Sequence, residues 1–242
     1  MCLHASQLEL GKLNMRFDYE NQMVEPAEAW LLSKGLMVKR EFSTPWGICD
    51  LVGCSFNKHN VKKRLRLRQT KPIGSHFRVM LLSHIPDEAE NCSITADRLV
   101  SKFSEFFDEA QIMVGLGRLQ RDGFVQRTPR GTFYKVNGWA PLHKRLIAVE
   151  LKLSRITEVL HQAIGHLEFA DESYVGLPMP TAKRLVEGKR KTEFIQAGVG
   201  VLGIESTKCR ILLKSAASKS TSDSVIQAHC IERFWRTRPK GS

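Results

Sequence analysis

The stretch that decides the fold is 146-LIAVELKLS-154, in which a carboxylate, Glu150, and an amine, Lys152, sit two positions apart among residues suited to a core strand. Successive side chains of a strand alternate faces. Glu150 and Lys152 are therefore expected on one side, with Val149, Leu151 and Leu153 on the other, toward a helix layer. An isolated buried carboxylate or ammonium is expensive, so the two groups need each other, solvent or a metal. A structural ion pair on a half-exposed strand satisfies the spacing by itself. Asp50 shifts the balance. It lies in a second strand-like segment, 47-GICDLVG-53, where Ile48 and Val52 are expected to share its face. If the two strands are neighbours, Asp50 and Glu150 converge on one hard, oxygen-preferring cation, most naturally Mg²⁺ with Mn²⁺ as a substitute. Lys152 would then orient or deprotonate a bound water, or hold a phosphate under attack.

Working outward, 24-VEPAEAWLLSKG-35 has an early Pro, helix formers and a Gly stop, which predicts a helix of about three turns. The segments 36-LMVKREF-42 and 46-WGICDLVGCSF-56 predict a hairpin around "STP". Beyond Glu150, 156-ITEVLHQAIGHLEFA-170 carries the apolar stripe of an amphipathic helix, and 173-SYVGLP-178 reads as a buried strand. A basic helix follows at 181–191, and then strands at 197–207 and 209–215. "GVGVLG" lacks the spacing of a dinucleotide loop and reads as close-packed strand; no P-loop is present.

Between the two carboxylate strands the composition changes. Residues 57–72, NKHNVKKRLRLRQTKP, hold Lys62, Lys63, Arg64, Arg66 and Arg68 with no acidic residue, reading either as a solvated linker or as a phosphate contact. Helices are then expected at 75–85, 94–103 and 108–123, followed by a hairpin around "TPRG". Three helices and a basic-tipped hairpin resemble a winged helix-turn-helix. That resemblance implies Ile112, Leu116 and Leu119 in the core, Gln111, Arg118 and Arg121 toward a DNA groove, and Arg127 and Arg130 on the wing.

The order of elements outside residues 57–140 resembles the PD-(D/E)XK nuclease superfamily. The resemblance implies an α/β, restriction-endonuclease-like mixed sheet flanked by helices, in two parts, 1–56 and 141–242, interrupted by the winged-helix-like segment. It implies Asp50 and Glu150 as metal ligands and Lys152 as the catalytic amine, with Gln162 beside them from the amphipathic helix. An acidic residue of the first helix often joins the metal in that family. Glu25 and Glu28 are the candidates, Glu25 preferred, though either also reads as an acidic residue stabilising a helix N-terminus. Two departures stand out: Cys49, not Pro, precedes Asp50, and the long segment separates Asp50 from Glu150. An independently folding module whose ends lie close together can replace a hairpin loop at little entropic cost.

Composition agrees with a polyanionic partner. The 242-residue chain has 37 Lys and Arg against 25 Asp and Glu, a formal charge of +12, and 42% hydrophobic residues. The six cysteines show no zinc-ribbon spacing and read as reduced thiols, and no apolar run reaches signal-peptide or membrane-spanning length, so a cytoplasmic protein is expected. The expectation is a Mg²⁺-dependent DNA endonuclease acting as a homodimer, without a nucleotide cofactor or a membrane. Lys189 and Arg190 would add phosphate contacts. The rival is a non-catalytic DNA-binding regulator or assembly factor on the same scaffold.

Overall fold

In a computed structural model, residues 17–44, 47–136, 139, 142–216 and 224–235 are described. Residues 1–16, most of the Ser/Lys-rich stretch 215–223 and the basic tail after Trp235 lie outside them. Two compact units divide the chain: Met1–Ser55 with Arg145–Ser222, and Phe56–Lys144 with Asp223–Ser242. The C-terminal segment therefore belongs to the second unit and not, as expected, to the sheet-bearing one.

The first unit is a three-layer α/β structure. A 3₁₀ turn, Glu20–Met23, leads into helix α1 (Val24–Ser33), and Gly35 at φ 72° turns the chain into the hairpin β1 (Met37–Thr44) and β2 (Gly47–Phe56). After the second unit come β5 (His143–Leu151), α6 (Ile156–His166), β6 (Glu172–Pro178), α7 (Met179–Glu187), α8 (Lys191–Ala197), β7 (Gly200–Ile204) and β8 (Cys209–Leu213). The six strands form one mixed sheet in the order β1-β2-β5-β6-β7-β8. β5 to β7 are parallel neighbours, whereas β1/β2 and β7/β8 are antiparallel. Parallel neighbours require crossover helices, and α6 to α8 supply them.

Alternation along the strands builds two cores. Ile147, Val149, Leu151, Tyr174, Leu202 and Ile204 pack with Ala27, Trp30 and Leu31 of α1. Val175, Leu177 and Val201 point the other way, against α6, α7 and α8. This is the mark of a sheet covered on both faces, where parallel strands read as continuous apolar runs. Gly200 and Gly203 have a packing role: the Tyr174 ring lies over its ladder partner Gly200, where a Cβ would approach Tyr174 Cδ1 to 2.4 Å. A close-packed strand, as expected, accounts for the run.

The second unit contains α2 (Lys58–Arg66), α3 (His76–Ser83), α4 (Ala96–Phe103), α5 (Glu109–Arg121), the two-stranded β3 (Val125–Arg127) and β4 (Phe133–Lys135), and α9 (Ser224–Trp235). Val79, Leu82, Leu99, Ile112, Leu116, Leu119 and Phe124 form its core, against which Val225 and Ala228 of α9 pack. Ile112, Leu116 and Leu119 are thus inward, as expected. The basic run 57–72, read as linker or phosphate contact, is for its first half a helix. Asn57 caps it by accepting from His59 N (3.0 Å) and Asn60 N (3.3 Å), and Lys63, Arg64 and Arg66 lie in its last turn, where the helix dipole favours cations.

Arg64 anchors the second unit. Its guanidinium, fully buried, donates to both carboxylate oxygens of Glu232 on α9, to Gln69 O (3.0 Å) and to Lys71 O (2.9 Å). It lies 5.0 Å from the Phe124 ring and 4.6 Å from the Trp235 ring. Glu232 also accepts from Ile73 N (2.8 Å) and Trp139 Nε1 (3.3 Å). A buried charge persists only when paired and hydrogen-bonded, as this one is. Arg64 is therefore a structural residue and is corrected as a phosphate contact: no face of it reaches solvent.

Candidate active site

The candidate chemistry lies in the first unit, where β2 and β5 are neighbours in the sheet, as the converging carboxylates require. The hairpin is irregular there. Between the ladder pairs Arg40–Leu51 and Phe42–Cys49, Glu41 adopts φ 48° opposite Asp50. A left-handed non-glycine residue costs on the order of 1–3 kcal/mol and re-aims its neighbours. The alternation expected for β2 fails accordingly. Leu51 packs on the α1 side, Cys49 reaches His166 of α6, and Ile48 is 62% exposed while Val52 is fully buried. The Asp50 carboxylate accepts from the backbone N–H of Leu151 at 2.7 Å, which ties the two strands together at the site.

Glu150 and Lys152 are not paired with each other. Lys152 follows the end of β5, and its Nζ donates to Glu20 Oε2 at 3.2 Å. The other Glu20 oxygen accepts from Leu153 N at 3.4 Å. Glu20 starts the 3₁₀ turn before α1 and is the acidic residue that sequence reasoning missed. The periodic helix begins only at Val24, so an acid ahead of it carries no pattern signal. Of the two residues expected in its place, Glu28 is bound by Arg40, whereas Glu25 is exposed and shares with Asp50 and Glu20 the lining of a cleft of about 640 Å³. Arg40, Glu41 and Leu151 are among the other residues that line it.

Glu150 is 2% exposed, on the α6 side of the sheet. Its Oε2 lies 3.8 Å from His166 Nε2 and lacks a hydrogen-bond partner among the described residues, and Cys49 Sγ lies 3.7 Å from His166 Nδ1. The α6 residue that meets Glu150 is therefore His166; Gln162, one turn earlier and expected there, is exposed. Burial, reinforced by the Asp50 charge and opposed by Lys152, pushes the Glu150 carboxyl up to about 8. Burial also raises Asp50, against the Leu151 N–H and the Lys152 charge that stabilise its anion. Lys152 ends up above its usual range: partial burial lowers it, and the Glu20 hydrogen bond and charge outweigh that. Burial alone takes His166 down to about 4.

In the second unit Arg118, Arg121, Arg127 and Arg130 are exposed, and Lys71, Arg78, Arg118, Arg121 and Asp122 line a groove of about 430 Å³. Lys62, Lys63, Arg66 and Arg68 are exposed as well. Gln111, expected to read DNA, instead closes a capping box. Its Oε1 accepts from Asp108 N (3.0 Å), and Asp108 Oδ1 accepts from Gln111 N (2.7 Å). The D-x-x-Q spacing signalled this role. In the first unit Lys189 is exposed, and Arg190 is held by Glu193 (2.9 Å) and Thr157 (3.1 Å). The described cysteines are free, and among the described residues no helix is long and apolar enough to cross a membrane.

No protein-family model matches the chain, and no curated protein matches it. Among solved structures, the chain is similar to the SPO1766 protein of unknown function from Silicibacter pomeroyi. The identity is 12%, over 91% of this chain and 88% of that one, with a TM-score of 0.41.

Proposed function

We propose that the protein is a metal-dependent DNA endonuclease with a restriction-endonuclease-like first unit and a winged-helix DNA-binding second unit. The observation that carries this is the gathering of Asp50, Glu150, Lys152 and Glu20 where β2 meets the end of β5, beside an open cleft. A cation fits the donors. The cleft wall offers carboxylate oxygens from Asp50, Glu20, Glu25 and Glu41, and Glu150 lies close enough to Asp50 for their like charges to interact. Asp50 and Glu150 would hold it, with Glu20 or Glu25 as a further ligand. Mg²⁺ or Mn²⁺ bound there would polarise the scissile phosphate and stabilise charge on the leaving oxygen.

The chain's own residues divide the remaining work. Lys152, kept charged by Glu20, is suited to holding a phosphate oxygen and the charge that grows on it, more than to taking a proton at neutral pH. Glu20 acts as a positioning residue, since it fixes both the Lys152 amine and the Leu153 backbone. The Leu151 N–H holds the Asp50 carboxylate in its rotamer. The exposed arginines of α5 and the β3–β4 hairpin would bind DNA phosphates, with Lys62, Lys63, Arg66 and Arg68 adding charge. Two-strand cleavage needs two such sites, so the proposed active species is a homodimer.

Incubation with supercoiled, linear and branched DNA in Mg²⁺ or Mn²⁺ tests the reading. Wild type should cleave at least one substrate, while Asp50→Asn, Glu150→Ala and Lys152→Ala should lose 10²-fold or more. DNA binding with every substrate left intact would retire the enzyme reading in favour of the non-catalytic binder. Equal cleavage by wild type and Glu150→Ala would place the activity elsewhere.

A further inference from the structure

Behind the cleft, on the α6 side of the sheet, Glu150 forms a cluster with Cys49 and His166, two residues that the hydrolytic reading does not use. One ligand atom from each lies within 4.8 Å of the others, and all three residues are buried. We propose that Cys49, His166 and Glu150 form a second metal site, which takes a thiophilic divalent ion of the Zn²⁺ type and shares Glu150 with the cleft.

The donor set selects the ion. A thiolate, an imidazole and a carboxylate are a borderline-soft combination that tetrahedral Zn²⁺ accepts and Mg²⁺ does not. Bonds of about 2.0–2.3 Å to such an ion place its ligand atoms roughly 3.3–3.7 Å apart. The Cys49 Sγ–His166 Nδ1 and His166 Nε2–Glu150 Oε2 separations, 3.7 and 3.8 Å, run to different ring nitrogens, whereas an ion engages one. With one atom per residue the ligand atoms lie within 4.8 Å of one another, so binding would draw the three side chains together by about 1 Å. The second, independent pointer is Glu150 Oε2, a buried carboxylate oxygen beside the imidazole that lacks a hydrogen-bond partner among the described residues.

Charge supports the same conclusion. As ligands Cys49 acts as a thiolate and Glu150 as a carboxylate, and their two negative charges match a divalent ion, so the filled buried set carries no net charge. The thiol site goes beyond the hydrolytic reading and does not depend on it.

The test uses the full chain, purified without a chelator or a metal-binding tag. After dialysis it should retain about one equivalent of zinc. Replacement by Co²⁺ should produce a thiolate-to-cobalt charge-transfer absorption that Cys49→Ser abolishes, together with at least a tenfold loss of Zn²⁺ affinity. Lys152→Ala should keep the band even as cleavage is lost, so that failure of one reading does not masquerade as failure of the other. If Cys49→Ser does not fold, X-ray absorption on the zinc-loaded wild type decides. One sulfur at about 2.3 Å among nitrogen and oxygen neighbours upholds the site. A shell without sulfur, no retained zinc, or a band undiminished in Cys49→Ser would overturn it.

Discussion

Glu150 is held as an acid by its surroundings, and a sign follows from that. Its ordinary value is 4.5, and in the fold it rises to about 8, first through burial and then through the Asp50 charge. Between those values the folded chain keeps a proton that the unfolded chain releases. The stability contribution is therefore fully present below about 4.5 and is lost as pH rises toward 8. In chelator, thermal melts of the wild type should fall across that window. Glu150→Gln, which cannot ionise, should show a shallower fall and melt above wild type at pH 8.5, while losing cleavage. Identical pH slopes for the two proteins would show that Glu150 ionises normally. Glu41 supplies a second residue-scale test. Its φ of 48° suits glycine better, so Glu41→Gly should stabilise the chain by about 1 kcal/mol in urea melts if Glu41 serves only strain, or less if its carboxylate matters to the fold.

At the scale of elements, α2 shows what the sequence could and could not disclose. Periodicity identified the amphipathic helix that became α6 and the apolar strands β5 to β7, because burial on a regular face leaves a regular pattern. Asp50 and Glu150 were legible as carboxylates of two strand-like segments, and the sheet order makes those strands neighbours. Arg64 looked like one more cation in a basic run, because its partner Glu232 lies 168 positions away and no local spacing links them. Glu20 and His166 escaped for a similar reason: both are recruited by the end of β5 and by the irregular β2, not by their own helices' periodicity. The remedy is a paired experiment on α2. Glu232→Ala should destabilise the second unit by about 3–5 kcal/mol, since it leaves a buried guanidinium unpaired. Lys62→Ala with Arg66→Ala should leave the melt within about 0.5 kcal/mol, because both side chains are exposed. Loss of DNA affinity in the second variant would assign those residues to phosphate binding.

For the whole molecule, the net charge of +12 predicts affinity that falls steeply with salt. Replacing Arg118, Arg121 and Arg127 together by Ala should reduce the slope of log K against log salt by about 3, measured by fluorescence anisotropy on DNA duplexes. An unchanged slope would mean that the second unit serves a protein partner. The division of the chain also bears on how it folds. The first unit runs through α1, β1 and β2, is interrupted at Phe56 and resumes at Arg145, while the second is interrupted in turn and takes its last helix from residues 224–235. During synthesis, β2 must therefore wait for β5 beyond the whole inserted segment, and Arg64 must wait for Glu232, 168 positions later. Each unit holds an unfinished surface until late, the sheet an unpaired β2 edge and the helical unit a buried-type arginine without its acid. Such delayed, long-range closure slows folding and exposes the nascent chain to aggregation. Yield in cells should consequently depend on chaperone capacity and growth temperature more than the final packing of either core would suggest.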